Sequence, residues 1–173
     1  TYNLDPAAVE RAITPRTRAI VPVYLYGQCA DMAAIGELAR ARGLAVVADA
    51  AQAVGGSFAD RPIGAWGDAV CLSFYPTKNL AACGDGGMLL TTRDDVAERV
   101  RRLRDHGSSK RYEHVELGVS SRLVDLPAAF LRVDSWLTAL LPCVSVTEWR
   151  GYPSVSRHPM RRKSNLLAIP SRL

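Results

Sequence analysis

The chain has 173 residues, 48% of them hydrophobic and 23% charged, with thirteen Gly and ten Pro. That balance excludes collagen-like, coiled-coil and wholly disordered classes, and apolar runs such as Leu44 to Ala48 fall far short of the roughly 20 residues that a membrane helix needs. The net charge of +5 belongs to the end of the chain, where Arg150, Arg157, Arg161, Arg162, Lys163 and Arg172 face only Asp134 and Glu148. Residues 1–133 are close to neutral, and the short Arg161-Arg162-Lys163 run lacks the interleaved aromatics of a nucleic-acid surface, so no nucleic-acid partner is expected. The opening Thr1-Tyr2-Asn3-Leu4-Asp5 has no basic region followed by an apolar core, so no signal peptide is expected. Cys29, Cys71, Cys83 and Cys143 are too scattered for a zinc-ligand pair, which leaves free thiols in a reducing cytoplasm and no metal site.

Taken in order, the elements alternate between helix and strand. Asp5-Pro6 pairs an N-cap residue with Pro at the first helical position, opening a short helix to about Ile13. Ala19 to Leu25 reads as a buried strand blemished by Pro22. Asp31 caps a helix with Met32, Ile35, Leu38 and Ala39 at helical spacing, and Gly43 stops it. Leu44 to Ala48 is a second apolar strand, so this stretch is a strand–helix–strand unit with parallel strands. Ala69 to Phe74 and Gly87 to Thr91 add two strands, and a helix runs from about Asp94 to Asp105 with Gly107 after it. Leu123 to Val133 is helical if Pro127 lies in the first turn. The fold class is α/β, with a mainly parallel sheet flanked by helices. Residues 134–173, with Pro142, Pro153, Pro159 and Pro170 and no hydrophobic period, read as an irregular basic tail.

In such a sheet, ligands gather at the carboxyl ends of the strands. Asp49 ends one strand, Ser73 another, and Lys78 follows in Tyr75-Pro76-Thr77-Lys78-Asn79 before the Gly84-Asp85-Gly86-Gly87 turn. Singly, each has an ordinary explanation: a helix cap, a backbone-bonded hydroxyl, a solvated loop amine. Together they supply the needs of an aldehyde cofactor with a protonatable ring nitrogen and a phosphate: an amine for a Schiff base, a carboxylate for the ring nitrogen and a hydroxyl for the phosphate. Gln52 is placed to contact the ring hydroxyl. His106 and His114, flanking Lys110-Arg111, read as surface loop before substrate binding, and Tyr24 and Tyr26 as packing before cleft lining.

Val23-Tyr24-Leu25-Tyr26-Gly27-Gln28, Asp49-Ala50-Ala51-Gln52-Ala53, Ser73 to Asn79 and Gly84 to Gly87, continued by Arg104-Asp105-His106-Gly107 and Ser121-Arg122-Leu123, resemble the DegT/DnrJ/EryC1/StrS aminotransferases. The resemblance covers residues 1–133. It implies part of a fold-type I large domain, pyridoxal 5'-phosphate as cofactor, and amino transfer from glutamate or glutamine to a nucleotide-linked keto-sugar or related cyclic ketone. It further implies that Lys78 forms the Schiff base and shuttles the proton, Asp49 pairs with the pyridine nitrogen, Gln52 touches the ring and Ser73 binds the phosphate. A homodimer with shared active sites is also implied. Two positions depart from the pattern: Ser120 stands where the family's Asn reaches the partner subunit's phosphate, and Pro127 where Gln is usual. The resemblance stops near Asp134, so a truncated or frame-disrupted copy is expected, with an inactive remnant as the alternative.

Overall fold

A computed structural model describes residues 2–123, 125–140 and 165–168. Helix α1 (Pro6–Ala12) starts where Asp5 accepts the Ala7 amide at 3.2 Å. Strand β1 (Ala19–Ile20) is shorter than the expected Ala19–Leu25. Pro22 has no amide to give, and the chain leaves regular strand there. Pairing nevertheless continues across the break: Asp49 N donates to Pro22 O and Tyr24 N to Asp49 O, at 2.9 and 2.8 Å. A 3-10 turn over Leu25–Gly27 then reverses the chain.

Helix α2 (Met32–Arg42) is bounded as its sequence dictates. Asp31 accepts the Ala34 amide at 3.1 Å, and Gly43 takes the left-handed conformation at φ 64°. Its apolar stripe buries Met32, Ile35 and Ala39, and full burial of a side chain such as Met32 or Ile35 contributes roughly 1.5–3 kcal/mol. Strand β2 (Ala45–Asp49) follows, then a small hairpin of β3 (Ser57–Phe58) and β4 (Arg61–Pro62), strand β5 (Ala69–Ser73) and strand β6 (Gly87–Thr91). Helix α3 (Asp94–Leu103) leads into a second hairpin, β7 (Ser108–Lys110) and β8 (Glu113–His114). Ala97 is the wholly buried residue of α3, while Val96, Val100 and Leu103 are half-buried beside it.

Helix α4 (Asp125–Leu140) holds Pro127 in its first turn, where a missing amide breaks no helical bond. It runs on past Val133, so the irregular tail does not begin at residue 134 as expected, and β9 (Asn165–Ala168) is a second ordered piece within it. Residues 141–164 and 169–173 of that tail, with Cys143 and the Arg161-Arg162-Lys163 run, lie outside the described residues.

The main sheet has the order β1-β2-β5-β6-β9. Strands β1, β2 and β5 are parallel, whereas β6 runs antiparallel to β5, and β9 to β6. Side chains paired across strands share a face, and successive residues alternate. One face therefore carries Ile20, Val46, Ala48 and Val70, which form the core with α2 and with Ile63. Farther along, Phe74 and Ala82 pack with Leu131 of α4. The other face carries Val47, Asp49, Cys71 and Ser73, all partly accessible, beside the exposed Val21 and Val23.

Asp68, just before β5, clamps the far end of these strands. Its carboxylate accepts the Val46 amide at 2.8 Å and the Arg93 guanidinium at 2.8 Å, and its carbonyl accepts the Thr91 hydroxyl at 2.6 Å. The hydrogen bond from the Val46 amide, together with Arg93, holds the Asp68 carboxyl below its usual range. Arg93 also pairs with Asp95, which it likewise holds low.

Candidate active site

The carboxyl ends of β2 and β5 meet on the accessible face. Asp49 lies opposite Cys71 in the β2–β5 register, and Ser73 is two residues farther along the same strand face. A pocket of about 250 Å³ opens there, lined by Val21, Val47, Asp49, Ala51 and Cys71 among others. Asp49 Oδ1 accepts the Ala51 amide at 3.0 Å, a local turn that fixes the carboxylate at the strand end. Ser73 Oγ accepts the Tyr75 amide at 3.3 Å, so its own hydroxyl proton is free to be donated to an anion.

Lys78 sits half-buried in the connection between β5 and β6. Because β6 returns antiparallel, that connection starts and ends at one rim, closed by Phe74 N donating to Gly86 O at 2.7 Å. Lys78 N donates to Tyr75 O at 2.8 Å, which forms a tight turn. The neighbouring Asn79 donates through Nδ2 to Val54 O at 3.2 Å. That bond ties the loop bearing Lys78 to the segment that carries Asp49 and Gln52. Gln52 is exposed at the rim, and its Oε1 accepts the Tyr26 amide at 2.7 Å. Asp49 and Ser73 thus stand at the ends of adjacent strands, Gln52 lies in the turn after Asp49, and Lys78 is on a loop bonded to that segment; of these four, Asp49 lines the pocket and Ser73, Gln52 and Lys78 do not.

Two members of this rim escaped the sequence reading. Cys71 lines the pocket beside Asp49, and burial, helped by the adjacent carboxylate, raises its thiol pKa. The period of two from Ser73 was the signal that could have found it. The Tyr26 amide carried no signal, because a main-chain donor has no residue identity. Tyr26 adopts φ 55° and its ring is 75% exposed; left-handed backbone at a bulky residue costs roughly 1–2 kcal/mol. Tyr24, in contrast, is wholly buried, which is the packing role expected of it. Its hydroxyl is buried without a hydrogen-bond partner, and burial, then the nearby Cys29, raises its pKa.

A second recess, of about 440 Å³, lies at the β7–β8 hairpin among His106, Lys110, Arg111, His114 and Arg122. His114 Nδ1 lies 2.9 Å from His106 O and 3.1 Å from Ser108 Oγ, so the hairpin is internally braced. The stretch beyond it presents Val115, Leu117 and Val119 on alternate residues, with Leu117 97% exposed. Among the described residues, no cluster of three or more His, Cys, Asp or Glu side chains could hold a metal ion, and no helix is long and apolar enough to cross a membrane.

Residues 1–134 match the DegT/DnrJ/EryC1/StrS aminotransferase family. The chain is 52% identical over 141 residues to a pleiotropic regulatory protein of Geobacillus stearothermophilus, covering 79% of this chain and 38% of that protein. It is 51% identical over 139 residues to the dTDP-3-amino-3,4,6-trideoxy-alpha-D-glucose transaminase of Streptomyces venezuelae, covering 78% and 37% respectively. Among solved structures, it superposes with a TM-score of 0.76 and 49% identity on S. venezuelae DesV in complex with a ketimine intermediate, over 80% of this chain and 37% of that one. Ntda from Bacillus subtilis with bound cofactor PMP gives a TM-score of 0.74 at 34% identity, over 80% and 32%. The chain therefore spans well under half the length of these relatives.

Proposed function

The chain belongs to the DegT/DnrJ/EryC1/StrS aminotransferase family, whose cofactor is pyridoxal 5'-phosphate, and from that premise we propose that it serves amino transfer to a nucleotide-linked keto-sugar or related cyclic ketone, with glutamate or glutamine as donor. The observation that carries this reading is the gathering of Asp49, Ser73 and Gln52 at one rim, with the Lys78 loop bound to it through Asn79 and Val54. These residues fit the cofactor. In this reading the Asp49 carboxylate pairs with the ring nitrogen, the Ser73 hydroxyl donates to the phosphate and Gln52 contacts the ring. When bound, the cofactor supplies a ring that accepts electrons as a substrate carbon loses its proton. Lys78 Nζ is the amine that holds the cofactor aldehyde and then moves that proton. Val21 and Val47 line the pocket and would shield a bound ring from water.

Two further observations support the substrate class and the assembly. Lys110, Arg111 and Arg122 around the hairpin recess suit the negative charge of a nucleotide-linked sugar. The apolar stripe of Val115, Leu117 and Val119 leads directly to Ser120, as a surface meeting a second copy of the chain would. The test is reduction with borohydride in the presence of pyridoxal phosphate, followed by peptide mapping. Cofactor mass fixed on Lys78, and absent from the chain carrying Lys78→Ala, is the expected result. Attachment at Lys110 or Lys163 instead, or none at saturating cofactor, overturns the reading and favours an inherited site without activity.

A further inference from the structure

The turn after β1 places two consecutive residues in left-handed backbone, Tyr26 at φ 55° and Gly27 at φ +81°. Glycine visits that region freely and tyrosine does not. Such strain persists only where the surroundings hold it, and around Tyr26 the hold is specific. The turn is closed by Gly27 N donating to Tyr24 O at 3.2 Å and Gln28 N to Leu25 O at 3.1 Å. It lies so near the Asp49–Ala53 segment that a Cβ on Gly27 would stand 3.3 Å from Gln52 O. From this position the Tyr26 amide reaches Gln52 Oε1 at 2.7 Å.

A carboxamide has an accepting end and a donating end, and a free one can turn either toward a ligand. The Gln52 carboxamide is not free. Its oxygen meets a main-chain N–H, which can only donate, so the oxygen end is committed to Tyr26 and the Nε2 end is left for whatever occupies the rim. We propose that Tyr26 is a positioning residue: its left-handed amide pins the Gln52 carboxamide so that Gln52 turns its N–H donors to the rim, favouring an anionic ring oxygen of pyridoxal phosphate over a neutral hydroxyl. This inference rests on the cofactor reading above and adds to it the charge state that the rim prefers. A neutral hydroxyl oxygen accepts only weakly from the carboxamide N–H, whereas an oxyanion accepts from it in a charge-assisted bond that is roughly twice as strong. The strained turn and the fixed orientation of the glutamine have a single explanation.

The experiment has two arms on the full chain. In the first, without cofactor, amide hydrogen exchange at Tyr26 is followed in the parent and in Gln52→Leu and Gln52→Glu variants. Exchange is expected to quicken by about tenfold or more in Gln52→Leu, which removes the acceptor, and to stay slow in Gln52→Glu, which keeps it. In the second arm, pyridoxal phosphate is added and the pH midpoint of its visible absorption is measured. Both variants lose the N–H donors, so the midpoint rises, by about one unit or more in Gln52→Glu, where a negative charge replaces them. Equal exchange at Tyr26 in the parent and Gln52→Leu overturns the pinning. An unmoved midpoint in Gln52→Glu overturns the donor role. No visible band in the parent overturns the cofactor reading itself, and with it the donor role, while the exchange arm still decides the pinning.

Discussion

Replacing Asp68 with alanine separates a main-chain hydrogen bond from an ion pair. Asp68 Oδ2 accepts the amide of Val46, a residue only 4% exposed, at 2.8 Å. Removing the carboxylate strands that N–H inside the protein, at a cost of roughly 1–3 kcal/mol. The partner Arg93 is half exposed, with 48% of its side-chain surface accessible, so the ion pair adds only about 0–1 kcal/mol. Asp68→Ala is therefore expected to cost roughly 2–3 kcal/mol in urea unfolding near neutral pH, and Arg93→Ala about 1 kcal/mol or less. The pH dependence has a definite sign. The folded carboxyl titrates below the ordinary 3.8, so its contribution is fully present above that value and is lost as pH falls through the lower folded value. Asp95 and Glu116 are also held low, chiefly by Arg93 and Arg102, so the parent loses stability in acid through several groups. The gap between parent and Asp68→Ala isolates one of them. That gap narrows as pH drops below 3.8. An Arg93→Ala loss equal to that of Asp68→Ala, or a gap constant through acid, would refute the assignment.

Two further outcomes follow from packing and the site. Gly107 holds φ +70°, and a Cβ there would overlap the Glu116 carbonyl; Gly107→Ala is expected to cost roughly 3 kcal/mol or more in thermal or urea unfolding, and a loss under about 1 kcal/mol would show that the hairpin connection shifts freely. Cys71 lines the pocket beside Asp49, whereas burial pushes the Cys29 thiol up to about 11. Pyridoxal phosphate should slow alkylation of Cys71 several-fold and leave Cys29 unchanged, as read by peptide mass spectrometry; equal protection of both would place the cofactor elsewhere.

Much of this was legible in the residues because local chemistry and tertiary context agree. Asp31 and Gly43 bound α2 as their capping chemistry requires, and Pro127 falls in the turn where its missing amide is harmless. Asp49 and Ser73 end apolar strands, and a strand end is where side chains of a parallel sheet become available to a ligand. What stayed hidden is non-local. The short hairpins Ser57–Pro62 and Ser108–His114 have no hydrophobic period to announce them. The expected strand through Leu25 breaks at Pro22, yet its pairing with Asp49 resumes beyond, which composition could not reveal. The Asn79–Val54 bond that brings the Lys78 loop to the rim joins residues far apart in sequence, and nothing in either segment points to the other.

The reversal at β6 divides labour between the groups of the rim. Asp49 belongs to the sheet ladder, so moving it means breaking strand pairing. Lys78 hangs on a span anchored at both feet to that same ladder, with the Asn79 side chain tethering it to Val54. In the proposed amino transfer, an amine that must reach, let go and reach again would gain from a mount outside the strands, and a carboxylate that only sets polarity from one within them. Had β6 run the other way, the chain after Ser73 would have had to travel the length of the sheet before re-entering it, carrying Lys78 toward the opposite end of the strands.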